Sequence, residues 1–230
     1  MVVTSIMDIV GRDGLPYARL PYDAETYPFS TLVGEHLAVE ELSRLHTSYR
    51  VPVLSRETEQ HTDLHRKLYN IGTEFHDLYR RFVETWVVPL IGEEVVFQAA
   101  PNLRFQMPGS KAVNDWHTDQ DHGHDPEEIN FWVPLTSVTE HNCVWIESMD
   151  GTDPVPMPCE VGEVLIFDGA GRGHGNKVNT SDRTRVSFEF RVIPNSRYND
   201  RPDKKSTVMG KQFVLGGYFD SFTQRMSGAR

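Results

Sequence analysis

Apolar positions follow two different rhythms along the chain, and the change falls near residue 95. Before it the period is helical. Leu64, Leu68, Ile71, Phe75, Leu78, Phe82 and Trp86 recur at steps of three and four. This predicts a helix within 57–88, ended by Pro89 and Gly92. A second helical segment is expected over 31–50, with Leu37, Leu42 and Leu45 as core positions and Pro52 closing it. Residues 1–30 are rich in Pro, Tyr and Gly and keep no period, so they read as loops with one short strand at most.

Beyond residue 95 the segments shorten. Residues 95–99, 103–107, 129–135, 142–147, 163–168 and 184–193 read as strands separated by Gly, Pro and Asp clusters. Many short strands with turn residues about every ten positions suggest a sandwich or barrel. Residues 195–206 read as a polar loop, and the tail to residue 222 holds apolar residues that would fold back on the domain. The expected fold is mainly β with α, in one domain. An N-terminal helical layer (1–94) precedes a double-stranded β-helix, or jelly-roll, core (95–195) and a C-terminal tail (196–230).

Composition narrows the function classes. A chain of 230 residues with 38% hydrophobic content is enough for one domain with a sizeable core. A net charge of -10 argues against a general nucleic-acid binder, whose affinity rests on Lys and Arg meeting phosphates. It is weakly compatible with a cationic substrate, although an acidic surface is usually a solubility feature. Cys143 and Cys159 make no disulfide framework and read as reduced thiols of a cytoplasmic protein. Residues 1–10 show neither a basic start nor a long apolar run, so no signal peptide or membrane anchor is expected.

The candidate chemistry centres on Asn114-Asp115-Trp116-His117-Thr118-Asp119-Gln120. On a strand, His117 and Asp119 would leave the backbone on one face, an imidazole beside a carboxylate. His174, in Gly171-Arg172-Gly173-His174-Gly175-Asn176, offers a third ligand. Two His and one carboxylate on one side of a metal form the facial triad of non-haem iron(II) oxygenases, which leaves positions open. An H-x-D pair alone usually signifies nothing. Here it gains weight from Trp116 before it and from a second His that follows the strong strand 163–168. His61 and His65 have metal-binding spacing but no H-E-x-x-H motif, and with His76 they read as surface residues. His122, His124 and His141 read as part of an exposed or substrate-facing loop.

Residues 184–192 alternate. Arg183, Arg185, Ser187, Glu189 and Arg191 share one face, while Val186, Phe188 and Phe190 share the other. A face with several arginines is costly in a core unless it meets an anion, and the guanidinium fork suits a carboxylate. A solvated strand with surface arginines is the competing reading.

H-x-D, a distal His and an R-x-S strand, in this order, resemble the iron(II)/2-oxoglutarate-dependent dioxygenases. The series Trp116-His117-Thr118-Asp119, Asn130-Phe131-Trp132-Val133-Pro134-Leu135-Thr136, Gly162-Glu163-Val164-Leu165-Ile166-Phe167, His174-Gly175-Asn176 and Arg185-Val186-Ser187-Phe188-Glu189-Phe190-Arg191 looks like the phytanoyl-CoA hydroxylase-like superfamily. Within that superfamily the chain is similar to the streptomycin-biosynthesis-type oxygenases, over roughly residues 95–195. The resemblance implies iron(II) held by His117, Asp119 and His174, with 2-oxoglutarate and O2 as co-substrates. It implies Arg185 as the 2-oxoglutarate anchor, with Ser187 as its partner and Arg183 as the second choice. Asn130, Trp132, Arg104, Gln106 and Arg191 are candidates for co-substrate or substrate contacts. Related halogenases lack the carboxylate, so Asp119 points to hydroxylation or another oxidation. Glu147-Ser148-Met149 stands where many relatives carry Gly-Ser-His. The implied activity is hydroxylation of a small polar metabolite (amino acid, amino sugar or natural-product intermediate) with release of succinate and CO2. Desaturation, ring formation and epimerisation are equally compatible. A cupin-type isomerase or hydrolase and a non-catalytic metal-binding sensor domain are the alternatives, and oligomeric state is left open.

Overall fold

In the computed structural model, residues 10, 17–49, 51, 62–111, 116–148, 150–151, 153–206 and 210–223 are described. Helix α1 (Phe29–Leu37) ends where Ala38 enters the left-handed region at φ 55°. The amides of Ala38 and Val39 then bond back to the carbonyls of Glu35 and Gly34, closing the helix end in the usual way. The single helix expected over 31–50 therefore stops early. A 3-10 turn (Leu42–Arg44) and one helical turn (Leu45–Ser48) follow. Leu37, Leu42 and Leu45 are nonetheless all buried.

The expected helix within 57–88 is also divided. Helix α2 (Asp63–Tyr69) starts at Thr62, whose hydroxyl accepts from the His65 amide. After the break at 70–72, helix α3 (Thr73–Phe82) starts behind Gly72. It runs on through a π-turn (Val83–Val87) into Val88–Ile91, ended by left-handed Gly92. Pro89 does not end the helix. It sits at the first positions of the last helical segment, directly after the π-turn, where the ladder of a continuous helix is already interrupted. Pro52 and residues 57–61, His61 among them, lie outside the described residues. No helix among the described residues is long and apolar enough to cross a membrane.

Two sheets face each other behind this helical layer. The larger contains β1 (Tyr17–Pro21), β2 (Val95–Gln98), β3 (Asn102–Gln106), β4 (Ile129–Pro134), β7 (Glu163–Phe167), β9 (Arg185–Pro194) and β12 (Phe219–Asp220). Its order is β1-β7-β4-β9-β2-β12, and β3 also pairs with β9. The smaller sheet has the order β6-β5-β8, from β5 (Val144–Glu147), β6 (Pro154–Met157) and β8 (His174–Asn176). This is the antiparallel double-sheet architecture expected from the strand pattern.

The central strand is β9. Its Val186, Phe188, Phe190 and Val192 join the core under the helices. Phe188 lies 4.7 Å from Phe29 and 5.6 Å from Phe75 between ring centroids, and Phe190 lies 5.1 Å from Tyr79. Its other face meets the smaller sheet, with a second cluster of Trp132, Val144, Ile146, Met157, Leu165 and Phe167 between the two.

Residues 195–206 are not only a loop. They contain β10 (Arg201–Lys205), which pairs with β11 (Gln212–Phe213). The tail returns as β12 on β2, and Asp220 pairs with Arg80 of α3. Strands β6 and β10 carry Pro and charge in place of alternating apolar residues, which suits the edges they occupy.

Phe188→Ala removes a fully buried ring from the junction of helices and sheet. It is expected to lower unfolding free energy by about 3–5 kcal/mol, read from the midpoint shift in urea denaturation.

Candidate metal centre

His117 and His174 face each other across the mouth of the smaller sheet. They form an isolated antiparallel bridge, with His117 N donating to His174 O at 3.1 Å and the reverse bond at 2.9 Å. The stretch around Asp119 is not the strand expected. Asp119 opens a 3-10 turn (Asp119–His122) capped by Thr118 and ended by Gly123 at φ 84°. Thr118 itself is extended (φ -99°, ψ 153°), so His117 and Asp119 still emerge on one side. The Asp119 amide donates to Gly169 O at 2.8 Å and fixes the turn against the loop before β8.

Three side chains meet there. Asp119 Oδ1 lies 3.6 Å from His117 Nε2 and 3.7 Å from His174 Nε2. The ligand atoms of all three lie within 4.8 Å of one another. Nitrogen and oxygen ligands at right angles around one ion sit roughly 3 Å apart for bonds of about 2.1 Å, so small side-chain shifts would suffice. His174 Nδ1 donates to Arg172 O at 3.1 Å, which leaves Nε2 as the lone-pair nitrogen facing Asp119. Burial pushes the His174 imidazole pKa down, partly opposed by Asp119. Burial alone would raise Asp119, but Arg191, with His117 and His174, outweighs it and holds the carboxyl well below its usual range.

Two glycines make this packing possible. A Cβ on Gly169 would lie 2.5 Å from Asn130 Nδ2, and one on Gly173 would lie 2.5 Å from Trp116 Nε1. Trp116 therefore lies across the backbone of the His174 loop while remaining half exposed.

The larger sheet supplies the floor. In register, Gln106 faces Arg185 and Arg104 faces Ser187. On the other side of β9, Trp132 faces Glu189 and Asn130 faces Arg191. One small pocket is lined by His117, His174, Arg104, Trp132, Arg185, Glu189 and Arg191. Arg185 is 2% exposed. Its NH1 donates to Asn142 O and Asn176 Oδ1, both uncharged, and its Nε has no partner. No carboxylate among the described residues lies within ion-pair distance of it, and burial pushes it down to about 10. Ser187 Oγ, Gln106 Oε1 and Arg104 NH1 are likewise buried without a partner. Four unmatched polar atoms thus fall on two adjacent cross-strand pairs.

The structure does not bring every sequence candidate to the centre. Arg183 precedes β9 in a bend, is 62% exposed at its side chain and pairs with Glu41 on the outer surface. Arg191 is not free to meet a substrate, because its fork is taken by Asp119: Nε donates to Oδ2 at 2.8 Å and NH2 to Oδ1 at 2.9 Å. The Asn130 amide is also committed, donating to Asp119 Oδ2 at 2.6 Å. Arg104 sits 3.5 Å from Glu189. Burial would raise Glu189, but Arg104 and then Arg191 hold it lower.

Several histidines and acids differ from expectation. His65 is a core residue, not a surface one, with its ring 4.3 Å from Phe105. His124 is buried and bonded to buried Glu128 at 2.8 Å, while His141 is exposed. Glu147 accepts from the Gly173 amide and so supports the His174 loop, a role that no spacing rule signals. Ser148 follows it, and Met149 lies outside the described residues.

Comparisons with known proteins give a family and a fold. Over 208 residues the chain is 41% identical to the streptomycin biosynthesis protein StrG of Streptomyces griseus, covering 89% of this chain and 98% of StrG. The chain belongs to the StrG family. No family model matches this StrG-family chain. Among solved structures it resembles SnoK, a non-haem α-ketoglutarate-dependent carbocyclase from nogalamycin biosynthesis, with TM-score 0.52, 14% identity and coverage of 90% and 92% of the two chains. It also resembles the epimerase SnoN from the same biosynthesis (TM-score 0.51, 14% identity, 90% and 93% covered). A third is EctD from S. alaskensis (TM-score 0.51, 17% identity, 85% and 79% covered). At these identities the likeness is one of fold.

Gly169→Ala would drive a methyl into the Asn130 amide. It is expected to destabilise the protein by about 1–3 kcal/mol in urea denaturation, whereas Gly72→Ser, at an exposed helix N-cap with φ -63° and open space around it, should lose far less.

Proposed function

We propose that the chain is a non-haem iron(II)/2-oxoglutarate-dependent oxygenase acting on a small polar metabolite, with succinate and CO2 as co-products. The observation that carries this reading is Arg185. A buried guanidinium without a carboxylate partner, in a pocket lined by both histidines of a His-Asp-His cluster, makes an anion site beside a metal site.

The donor set fits the metal. Two imidazole nitrogens and one carboxylate, all on one side, suit iron(II) and leave its other positions toward the pocket. Bound iron would supply the oxidising chemistry with O2 and 2-oxoglutarate. The chain's own residues would position the reactants. Arg185 and Ser187 would receive the far carboxylate of 2-oxoglutarate, and Arg104 would close the same end from β3, while Gln106, opposite Arg185 in register, has its amide nitrogen spent on Ser110 O and Lys177 O. Trp132, whose ring centre is 5.8 Å from the Arg185 guanidinium carbon, would shield that pair from water.

The name of StrG supports a natural-product intermediate as substrate. Hydroxylation is the proposed outcome. SnoK and SnoN, described as a carbocyclase and an epimerase, make ring closure and epimerisation the neighbouring possibilities. A cupin-type isomerase or hydrolase with another divalent ion would leave Arg185 without an anion, which counts against it.

The test is an anaerobic titration of iron(II)-loaded protein with 2-oxoglutarate, following the visible band of the chelate. Arg185→Ala should raise the 2-oxoglutarate dissociation constant about 30-fold or more, because removing one side of a buried charge pair costs about 2–5 kcal/mol. Arg183→Ala should match wild type, and His174→Ala should show no band. A normal Arg185→Ala with a defective Arg183→Ala would overturn the anchor assignment. Iron binding with no response to 2-oxoglutarate would favour the isomerase or hydrolase.

A further inference from the structure

Asp119 has two oxygens, and they face different surroundings. Oδ1 faces both histidine Nε2 atoms. Oδ2 accepts from Asn130 Nδ2 at 2.6 Å and from Arg191 Nε at 2.8 Å. Two donors thus occupy Oδ2, while Oδ1 takes the second Arg191 bond, from NH2 at 2.9 Å. Arg191 is itself held in place. Its Nε lies 3.7 Å from Glu128 Oε2, and its NH1 lies 3.5 Å from Gln98 Oε1 and 3.4 Å from the Tyr218 hydroxyl. Glu128 in turn is fixed by His124 Nδ1 and by the Asp125 amide, each at 2.8 Å. The His124 ring packs on Phe213 and Tyr218 of the C-terminal segment.

From this geometry we infer that Arg191 and Asn130 are positioning residues that confine Asp119 to one coordinating oxygen. A carboxylate free to rotate could give both oxygens to a divalent ion and close one of its open positions. With Oδ2 saturated by two donors from the larger sheet, only Oδ1 is offered to the ion. The two bonds from the guanidinium also aim the buried carboxylate before any ion arrives, so the site is preorganised. The C-terminal segment takes part through Tyr218, and through His124 acting on Glu128.

This inference rests on His117, Asp119 and His174 being a metal centre. The test uses cobalt(II) as probe on the metal-free full chain, read by titration and by the visible cobalt spectrum, with crystal structures of the loaded forms. Arg191→Met should weaken cobalt binding about 10–100-fold, change the spectrum and bring Asp119 Oδ2 to the ion. Asn130→Ala removes a neutral donor from the same oxygen and strands no buried charge, so it tests the idea even if Arg191→Met fails to fold. It should move the same readouts in the same direction, by less. Arg191→Lys, which keeps the charge and loses the fork, should lie between wild type and Arg191→Met. Wild-type affinity and spectrum in Asn130→Ala, or a single coordinating oxygen in a folded Arg191→Met, would overturn the inference and leave Arg191 as a charge partner only. Failure of the wild type to bind cobalt would instead remove the metal-centre reading.

Discussion

The interior of this fold is governed by the cost of burying charge beside a committed apolar face. Val186, Phe188, Phe190 and Val192 of β9 are held by the helical layer. A strand that buries one face must turn its alternate residues to the other side. Arg185, Ser187, Glu189 and Arg191 are therefore driven between the sheets, where each charge needs a counter-charge or hydrogen bonds. Asp119 answers Arg191 and Glu189 answers Arg104, but no described carboxylate answers Arg185. In the network around β9, Arg104, Arg185 and Arg191 stand against Asp119, Glu128 and Glu189. The total is balanced while its distribution is not. A divalent cation at Asp119 and a dicarboxylate reaching Arg185 would correct both ends and leave the sum at zero.

Much of this was legible along the chain, because it is periodic. The alternation in β9, the strong apolar strand β7 and the paired aromatic residues of β4 all survive into the structure. The triad was legible for a looser reason. His117 and Asp119 emerge together because Thr118 is extended, although Asp119 opens a 3-10 turn. Parity misled at Arg183, which has the same phase as Arg185 yet lies outside. Alternation belongs to paired backbone, and 181–183 is a bend tied down by Asn179 and Ser181. Helix breaks at Ala38 and at 70–72 were hidden because Leu37, Leu42, Leu68 and Ile71 remain buried across them, so the apolar rhythm passes through. Strands β6 and β10 had no rhythm to read, since their partners fix them.

What periodicity cannot carry is the orientation of a single oxygen. The ligand types were visible in His117, Asp119 and His174, but the groups that orient Asp119 come from β4 and β9, 11 and 72 residues away. Asn130 and Arg191 looked like contacts for diffusible molecules because their strand faces the pocket. In the folded chain both are spent on the carboxylate, and the room for Asn130 exists only because Gly169 has no side chain. Facing a pocket and being available to it are thus different properties. The first follows from parity, the second from which side chain already holds the hydrogen bonds. By that criterion Arg185 and Arg191, three steps of alternation apart on one strand face, differ: Arg191 spends its fork on the protein's own charge network, whereas Arg185 keeps an unmatched Nε and has no described carboxylate within ion-pair distance.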